Sequence, residues 1–141
     1  MSNSKITYDA NTLGVMKLFE NITRAKIKDC IIDAEKITFV VLPGELKTGL
    51  GKNAANIKKL AEKFGKKIRI VEFKDSMLEL IKSFINPLKV DAIHEEENVV
   101  ILESTDTKTK GLIIGRAAKN LRALEENIKR YFPDLKEIKV V

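Results

Sequence analysis

Gly51-Lys52-Asn53-Ala54-Ala55-Asn56-Ile57 recurs in similar form sixty-four residues further along the chain, as Gly115-Arg116-Ala117-Ala118-Lys119-Asn120-Leu121. In each string an apolar residue precedes the glycine, and a cation and small residues follow it before an amphipathic stretch begins. Self-similarity at a fixed spacing is the signature of a repeated structural unit. The chain of 141 residues therefore predicts two small domains of one kind, although its length alone is typical of a single domain.

The segments around the two strings repeat the same order of secondary structure. Apolar residues recur at helical spacing from Ile57 to Phe64 and from Leu121 to Phe132, and Gly65 is expected to end the first of these helices. Other segments complete the order helix, strand, strand, helix, helix, strand in both halves. They are expected at residues 12–22, 26–33, 36–42 and 67–72, and again at 76–85, 90–93, 99–103 and 137–140. Strands covered on one face by helix pairs indicate an α+β fold.

The boundary between the halves is expected near residues 73–75. The alternating strand ends there, and Ser76-Met77-Leu78-Glu79 has the spacing of a capping box, which begins a helix. No stretch rich in Gly, Ser or Pro separates the halves, so the connection between them is short. The predicted domains are residues 1–74 and 75–141.

Positive charge is concentrated in the first half of the chain. Residues 1–74 carry 15 Lys and Arg against 8 Asp and Glu, a net charge of +7, whereas residues 75–141 carry 11 against 12, a net charge of −1. Nine cations of the first half fall at positions 47–74, and the second half still has five cations at 108–122 with no acid among them. Matching basic clusters favour a phosphate-binding surface over the alternative, a solvated lysine-rich helix face.

The glycine strings suit phosphate binding for a physical reason. A turn between two helices leaves the first amides of the second helix unpaired, and these amides attract an anion together with the helix dipole. Glycine lacks the side chain that would hold a phosphate at a distance. The cation at the next position, Lys52 or Arg116, adds a charged donor.

The small numbers of Cys and His residues argue against an enzyme and against a metal-binding protein. The single cysteine, Cys30, lies in a strand-like apolar run, where it is expected to be buried and cannot form an internal disulfide. The single histidine, His94, is expected to end a strand beside the acidic turn Glu95-Glu96-Glu97. One Cys and one His cannot build a catalytic triad or a metal cluster. We expect a protein that is not an enzyme and needs no cofactor.

Membrane insertion and secretion are also disfavoured. No apolar run is long enough to span a bilayer, and the N-terminal residues 1–5 lack the apolar stretch of a signal peptide. We expect a cytoplasmic protein that makes no membrane contact.

The loops and the order of the elements resemble the K-homology (KH) family, whose Gly-x-x-Gly loop lies between two helices and clamps about four nucleotides. The order is similar to that of type II KH domains, which have a three-stranded sheet, and the tandem resembles the short archaeal members of the NusA family of transcription factors. The segments that carry the resemblance are 49–60, 65–68, 29–33, 85–90 and 110–115.

The resemblance implies single-stranded RNA binding by a factor that acts in transcription elongation, termination or antitermination. RNA polymerase and ribosomal components are candidate protein partners, and a monomer is expected. Together with the charge pattern, the resemblance assigns RNA binding to Gly49, Gly51, Lys52, Asn53, Ala54, Asn56, Lys58 and Lys59 in the first half and to Gly115, Arg116, Ala117, Ala118, Lys119 and Arg122 in the second.

The chain departs from the family at the second glycine of each loop, where Ala54 and Ala118 stand. If these positions require a left-handed backbone, each alanine costs about 1 to 2 kcal/mol; if they are helical, alanine costs nothing. The departure and the neutral second half also support an alternative, a degenerate KH scaffold that acts mainly in protein interactions. A further alternative, RNA processing or translation, shares the chemistry of RNA binding.

Overall fold

One order of helices and strands occurs twice in the computed structural model, which describes residues 8–141. The chain forms two compact units that meet in sequence at Lys74 and Asp75. The first unit contains α1 (Ala10–Thr23), β1 (Ile27–Ile32), β2 (Lys36–Val41), α2 (Leu46–Leu50), α3 (Ala55–Phe64) and β3 (Lys67–Glu72). The second contains α4 (Met77–Ile85), β4 (Ala92–Glu96), β5 (Val99–Glu103), α5 (Thr107–Ile114), α6 (Lys119–Lys129) and β6 (Glu137–Val140). The expected order of elements is therefore found in both halves.

Each unit has a three-stranded sheet with the same topology. The strand orders are β1-β2-β3 and β4-β5-β6. The first two strands of each sheet are antiparallel and joined by a short hairpin, whereas the third is parallel to the second. A parallel partner requires a crossover connection, and the helix pair that carries the glycine string supplies it. The expectation of an α+β fold with three-stranded sheets is confirmed.

The core of the first unit lies between its sheet and its helices. Phe19 of α1 stacks on Phe39 of β2, with ring centroids 4.3 Å apart, and Leu60 of α3 is fully buried in the same cluster. Burial of each such side chain stabilises the fold by about 1.5 to 3 kcal/mol. Cys30 joins this cluster, as expected of a small apolar residue.

The core of the second unit is built in the same way. Its largest fully buried side chains come from α4, β5, α6 and β6, and they include Leu80, Ile81, Phe84, Val100, Leu102, Ile128 and Ile138. The two sheets and helix pairs thus provide similar supports for the two glycine strings.

Two predicted helix boundaries are confirmed. The Ser76 hydroxyl oxygen accepts a hydrogen bond from the Glu79 N–H at 3.4 Å, which is the N-cap contact of the predicted capping box. Gly65 ends α3 in a left-handed conformation with φ of 66°, and its N–H donates to the Ala61 carbonyl. Local sequence determines both ends, because a cap needs only residues within one turn.

The fourth strand is displaced from its predicted position. It was expected at residues 90–93, but it runs from Ala92 to Glu96, and Glu96 pairs with Val99. The hairpin turn is limited to Glu97 and Asn98, both with positive φ, as a two-residue type I′ turn requires. The prediction that His94 ends the strand is therefore wrong, because the tight turn lets the exposed glutamates before it pair with β5.

Candidate nucleic-acid interface

The two glycine strings adopt one backbone conformation. We call residues 51–54 the first glycine loop and residues 115–118 the second glycine loop. Gly51 has φ and ψ of 74° and 179°, and Gly115 has 75° and 174°. A single 3₁₀ turn follows each glycine and leads into the next long helix. The sequence repeat therefore reproduces a local backbone geometry as well as a pattern of residue types.

The alanines in place of the second glycine lie in the left-handed region. Ala54 has φ and ψ of 56° and 30°, and Ala118 has 61° and 23°. Of the two conformations considered from the sequence, the structure has the strained one, which costs an L-residue about 1 to 2 kcal/mol. The residue before each alanine is also left-handed: Asn53, a type that tolerates this region, and Ala117, which does not. The second glycine loop consequently holds more strain than the first.

In each unit an asparagine side chain of the helix after the glycine loop donates hydrogen bonds to the helix before the loop. The buried Asn56 amide donates to the carbonyl oxygens of Gly49 at 3.0 Å and Thr48 at 3.3 Å, which lie in the last turn of α2. Asn120 donates to the Leu112 carbonyl of α5 at 3.0 Å in the same way. These bonds satisfy carbonyls that the end of a helix leaves without an intrahelical partner.

The asparagines also explain why each loop begins with glycine. A Cβ placed on Gly51 would lie 2.8 Å from the Asn56 amide nitrogen, and a Cβ on Gly115 would lie 2.6 Å from the Asn120 side-chain carbonyl carbon. Both glycines have positive φ as well, so a larger residue meets strain and a steric clash together. Asn56 thus acts beneath the loop, and its amide donors are directed at protein carbonyls.

Most of the predicted site residues are exposed and a few are not. Gly49 is buried, since a Cβ there would contact Ile70, Phe19 and Val41 at 3.4 to 3.6 Å. The exposed residues are Lys52, Asn53, Ala54, Lys58 and Lys59 in the first unit and Arg116, Ala117, Lys119 and Arg122 in the second. Gly51, Gly115 and Ala118 are partly exposed.

The helices that follow the glycine loops have N-termini without a side-chain cap. Helices α1, α4 and α5 are each capped by a side chain, from Asp9, Ser76 and Asp106 respectively. In the described structure no side chain caps α3 or α6, whose N-cap residues are Ala54 and Ala118. The Ala55 and Lys119 N–H groups, the first amides of the two helices, donate to the Lys52 and Arg116 carbonyls of the preceding 3₁₀ turns. The positive end of each helix dipole lies at its loop without a side-chain acceptor, and this arrangement attracts anions.

Three cations in and just after the first glycine loop have no acidic partner among the described residues. Lys52, Lys58 and Lys59 form no ion pair or side-chain hydrogen bond with any of residues 8–141. Because they are exposed and uncompensated, their charges add to the potential of the open helix end.

Other cations of the first half are engaged elsewhere. The Lys66 ammonium donates to the Asp33 carbonyl at 2.8 Å, and Lys74 pairs with Glu72 at 3.4 Å. Burial lowers the pKa of Arg69 on β3 below its ordinary value. The basic cluster that the sequence suggested over residues 47–74 is therefore narrower in the structure than in the sequence.

The second glycine loop differs from the first in the pairing of its helix cation. Arg122 donates through Nη1 to Glu125 Oε1 at 2.6 Å, one turn along α6. The hydrogen bond and the charge of Glu125 raise the pKa of Arg122, so the guanidinium stays fully charged. Its charge is balanced by a carboxylate, unlike that of Lys58 at the matching position of α3.

Sequence reasoning missed Asn120 and Glu125. Asn120 stands five residues after its glycine, as Asn56 does, so the repeat itself could have identified it. Arg122 and Glu125 have the i, i+3 spacing of a helical ion pair, which was also visible in the sequence. The burial of Glu125, 5% exposed, had no sequence signal.

The described residues do not form a metal-binding cluster of side chains. Within residues 8–141, no three His, Cys, Asp or Glu side chains are grouped closely enough to hold a metal ion. His94 instead contacts Glu103 at 3.3 Å. None of the helices in the same range has the length and apolar character needed to cross a bilayer.

Comparison with known proteins gives consistent results. The family model described as "KH domain" matches residues 16–90, which include the first glycine loop and the first sheet. A protein of Methanocaldococcus jannaschii named "Probable transcription termination protein NusA" is 30% identical over 132 residues, which cover 90% of this chain and 72% of that protein. The protein of the same name from Methanococcus vannielii is 33% identical over 137 residues, covering 93% and 78%.

Two further comparisons extend over nearly the whole chain. The Halococcus morrhuae protein named "Probable transcription termination protein NusA" is 25% identical, and the match covers 96% of this chain and 99% of that protein. A crystal structure of APE1850 superposes with a TM-score of 0.76 at 23% identity, covering 95% of this chain and 100% of that one. At this identity the superposition shows a common fold.

Proposed function

We propose that this chain, which belongs to the KH domain family and is an RNA-binding transcription factor of the NusA type, binds single-stranded RNA mainly through its first glycine loop. The proposed contacts are electrostatic and directed at the phosphate backbone, as in other KH loops. RNA recognition through binding, without catalysis, is the proposed activity, and it is exerted on transcripts in the cytoplasm.

One observation carries this proposal. The N-terminus of α3 has no side-chain cap, it follows a loop that begins with glycine, and the lysines of this loop and helix include three without an ion pair among the described residues. The uncapped N-terminus of α3 can attract phosphate oxygens through the positive end of its helix dipole, and Gly51 presents no side chain that would obstruct the approach. Lys52, Lys58 and Lys59 can approach an anion without first breaking an internal ion pair. Binding therefore neutralises phosphate charge at little cost to the protein's own contacts.

We also propose that both units are type II KH domains, with residues 1–74 and 75–141 as their ranges. The match to the family model covers the first unit and only the start of the second. For the second unit the support is its identical element order, its identical strand pairing and a loop whose dihedral angles lie close to those of the first.

The test is RNA binding by a variant that reverses charge in the first glycine loop. Lys52→Asp with Asn53→Asp, the loop-one variant, places carboxylates where phosphates are proposed to bind. Asp, like Asn, tolerates the left-handed backbone at position 53, so the fold is expected to persist. Lys17→Asp with Asn11→Asp, on the exposed surface of α1, makes the same changes of residue type and charge away from the loop.

Fluorescence anisotropy with a labelled single-stranded RNA of about twelve nucleotides, about three KH footprints, measures the affinity. We expect the loop-one variant to weaken binding by about tenfold or more, and the α1 variant to change it much less, because local contacts exceed screened long-range effects. In wild type, log affinity should fall linearly with log salt. Equal affinities of the two folded variants, or affinity independent of salt, would refute the loop assignment.

A second candidate function is protein interaction by the second unit. The observation that favours it is the Arg122–Glu125 pair, which neutralises a cation that RNA binding would use. RNA polymerase and ribosomal components are the candidate partners, and pull-down of purified polymerase or ribosomes by this protein tests them.

Light scattering after size exclusion tests the proposal that the chain is a monomer. Transcription assays with and without the protein distinguish termination from antitermination.

A further inference from the structure

Helix α6 differs from α3 in charge at four aligned positions, and one of them places an acid beside the helix cation of the second unit. Lys58 and Arg122 occupy equivalent places, seven residues after their glycines. Three residues further on, the first unit has Ala61 and the second has Glu125. The sequence difference replaces a small neutral side chain with a carboxylate one helical turn from the cation.

Glu125 is held in a fixed position by two donors. Its Oε2 accepts the backbone N–H of Ile138 on β6 at 2.7 Å, and its Oε1 accepts Arg122 Nη1 at 2.6 Å. The residue is 5% exposed. The hydrogen bond to β6 keeps the Glu125 carboxylate beside Arg122 and out of solvent. A buried carboxylate is stable only while its hydrogen-bond and ion-pair partners remain.

We propose that Glu125 is a positioning residue that withholds Arg122 from RNA and so makes the second glycine loop the weaker of the two. The inference rests on the proposed function of the glycine loops. To bind a phosphate, Arg122 must break its hydrogen bond to Glu125. The buried Glu125 carboxylate then has one donor fewer, which costs free energy. Arg116, in the loop itself, has no acidic partner among the described residues and faces no such cost.

The experiment measures RNA anisotropy in the loop-one variant of the whole chain, so that binding by the second loop is not masked by the first. Glu125→Gln is added, because the amide oxygen can still accept the Ile138 N–H while the negative charge is lost. Glu126→Gln is the matched control, an exposed neighbour on the same helix with the same change of charge. Far-UV circular dichroism verifies the fold of each protein.

We expect Glu125→Gln to raise affinity about twofold to fivefold, which lies within the range for one exposed ion pair. The slope of log affinity against log salt should steepen by about 0.7, the value for one more phosphate contact with a single strand. Glu126→Gln should change both quantities much less. Equal gains from the two variants would overturn the proposal, because removal of any nearby negative charge would then explain the effect.

A second comparison keeps the proposal testable if Glu125→Gln does not fold. In the loop-one variant, Arg116→Gln should weaken binding severalfold. Arg122→Gln should weaken it less, because Arg122 is already paired and the Gln amide can still donate to Glu125. Equal losses from these exposed substitutions would overturn the role of Glu125. Wild-type protein that binds no RNA would overturn the proposed function together with this inference, whereas wild-type binding without the predicted differences would overturn the inference alone.

Discussion

Glycine at the left-handed alanines should stabilise the protein. Ala54 and Ala118 have φ of 56° and 61°, a region that costs an L-residue about 1 to 2 kcal/mol and glycine almost nothing. Glycine gains freedom in the unfolded chain, which offsets about 0.4 to 1 kcal/mol of this benefit. Ala54→Gly and Ala118→Gly should each therefore raise the free energy of unfolding by about 0.5 to 1 kcal/mol.

Ala123→Gly is the matched control, because it makes the same chemical change at an exposed, helical position of α6. There glycine lowers the helical propensity, and the free energy of unfolding should fall by about 0.5 to 1 kcal/mol. Urea unfolding followed by far-UV circular dichroism measures all three variants. The substitutions should thus have opposite signs in the loops and in the helix.

A loss of stability in Ala54→Gly and Ala118→Gly similar to that in Ala123→Gly would refute the left-handed assignment. It would mean that the loop alanines are helical in solution and that α3 and α6 begin earlier in the chain. The open N-termini on which the proposed phosphate contacts depend would then lie elsewhere.

Two other predictions concern the supports of the glycine loops. Asn56→Ala removes both hydrogen bonds to the end of α2, so it should lower the free energy of unfolding by about 1 to 3 kcal/mol and weaken RNA binding; unchanged urea unfolding would contradict the supporting role. The side-chain hydrogen bond from Thr109 lowers the pKa of Asp106 below its ordinary value. The contribution of Asp106 to the free energy of unfolding is therefore present above the ordinary carboxyl pKa and is lost as pH falls through the lowered pKa. Asp106→Asn should reduce the fall in the free energy of unfolding at acid pH, as measured by urea unfolding at several pH values. Identical pH profiles of the variant and the wild type would contradict this prediction.

Much of the fold could be predicted because it depends on neighbouring residues. The order of the elements follows from local periodicity, and the ends of α3 and α4 follow from Gly65 and from the Ser76 cap. The fourth strand was misplaced because its exposed glutamates lack the apolar alternation of a strand. Pairing with β5 across a two-residue turn overrides that weak local preference.

The site was only partly visible in the sequence. Lys52, Lys58 and Lys59 are exposed and unpaired among the described residues, as a phosphate-binding role requires. Asn56 was predicted to contact RNA, yet its amide donates to protein carbonyls beneath the loop. A sequence pattern gives the identity of a polar side chain but does not give the direction of its hydrogen bonds.

The sequence by itself determined the duplication, the succession of helices and strands, and the two glycine loops with their excess of positive charge in the first half. The helices, strands and loops are encoded in residues a few positions apart, and the duplication follows from the recurrence of these local patterns along the chain. Only the tertiary structure decided that Ala54 and Ala118 are left-handed, and that Glu125 joins Arg122 to the Ile138 amide thirteen residues away. The physical reason is that both depend on the packing of each helix pair against its sheet. This packing fixes the turn between the helices and brings the Ile138 N–H, distant in sequence, to the Glu125 carboxylate.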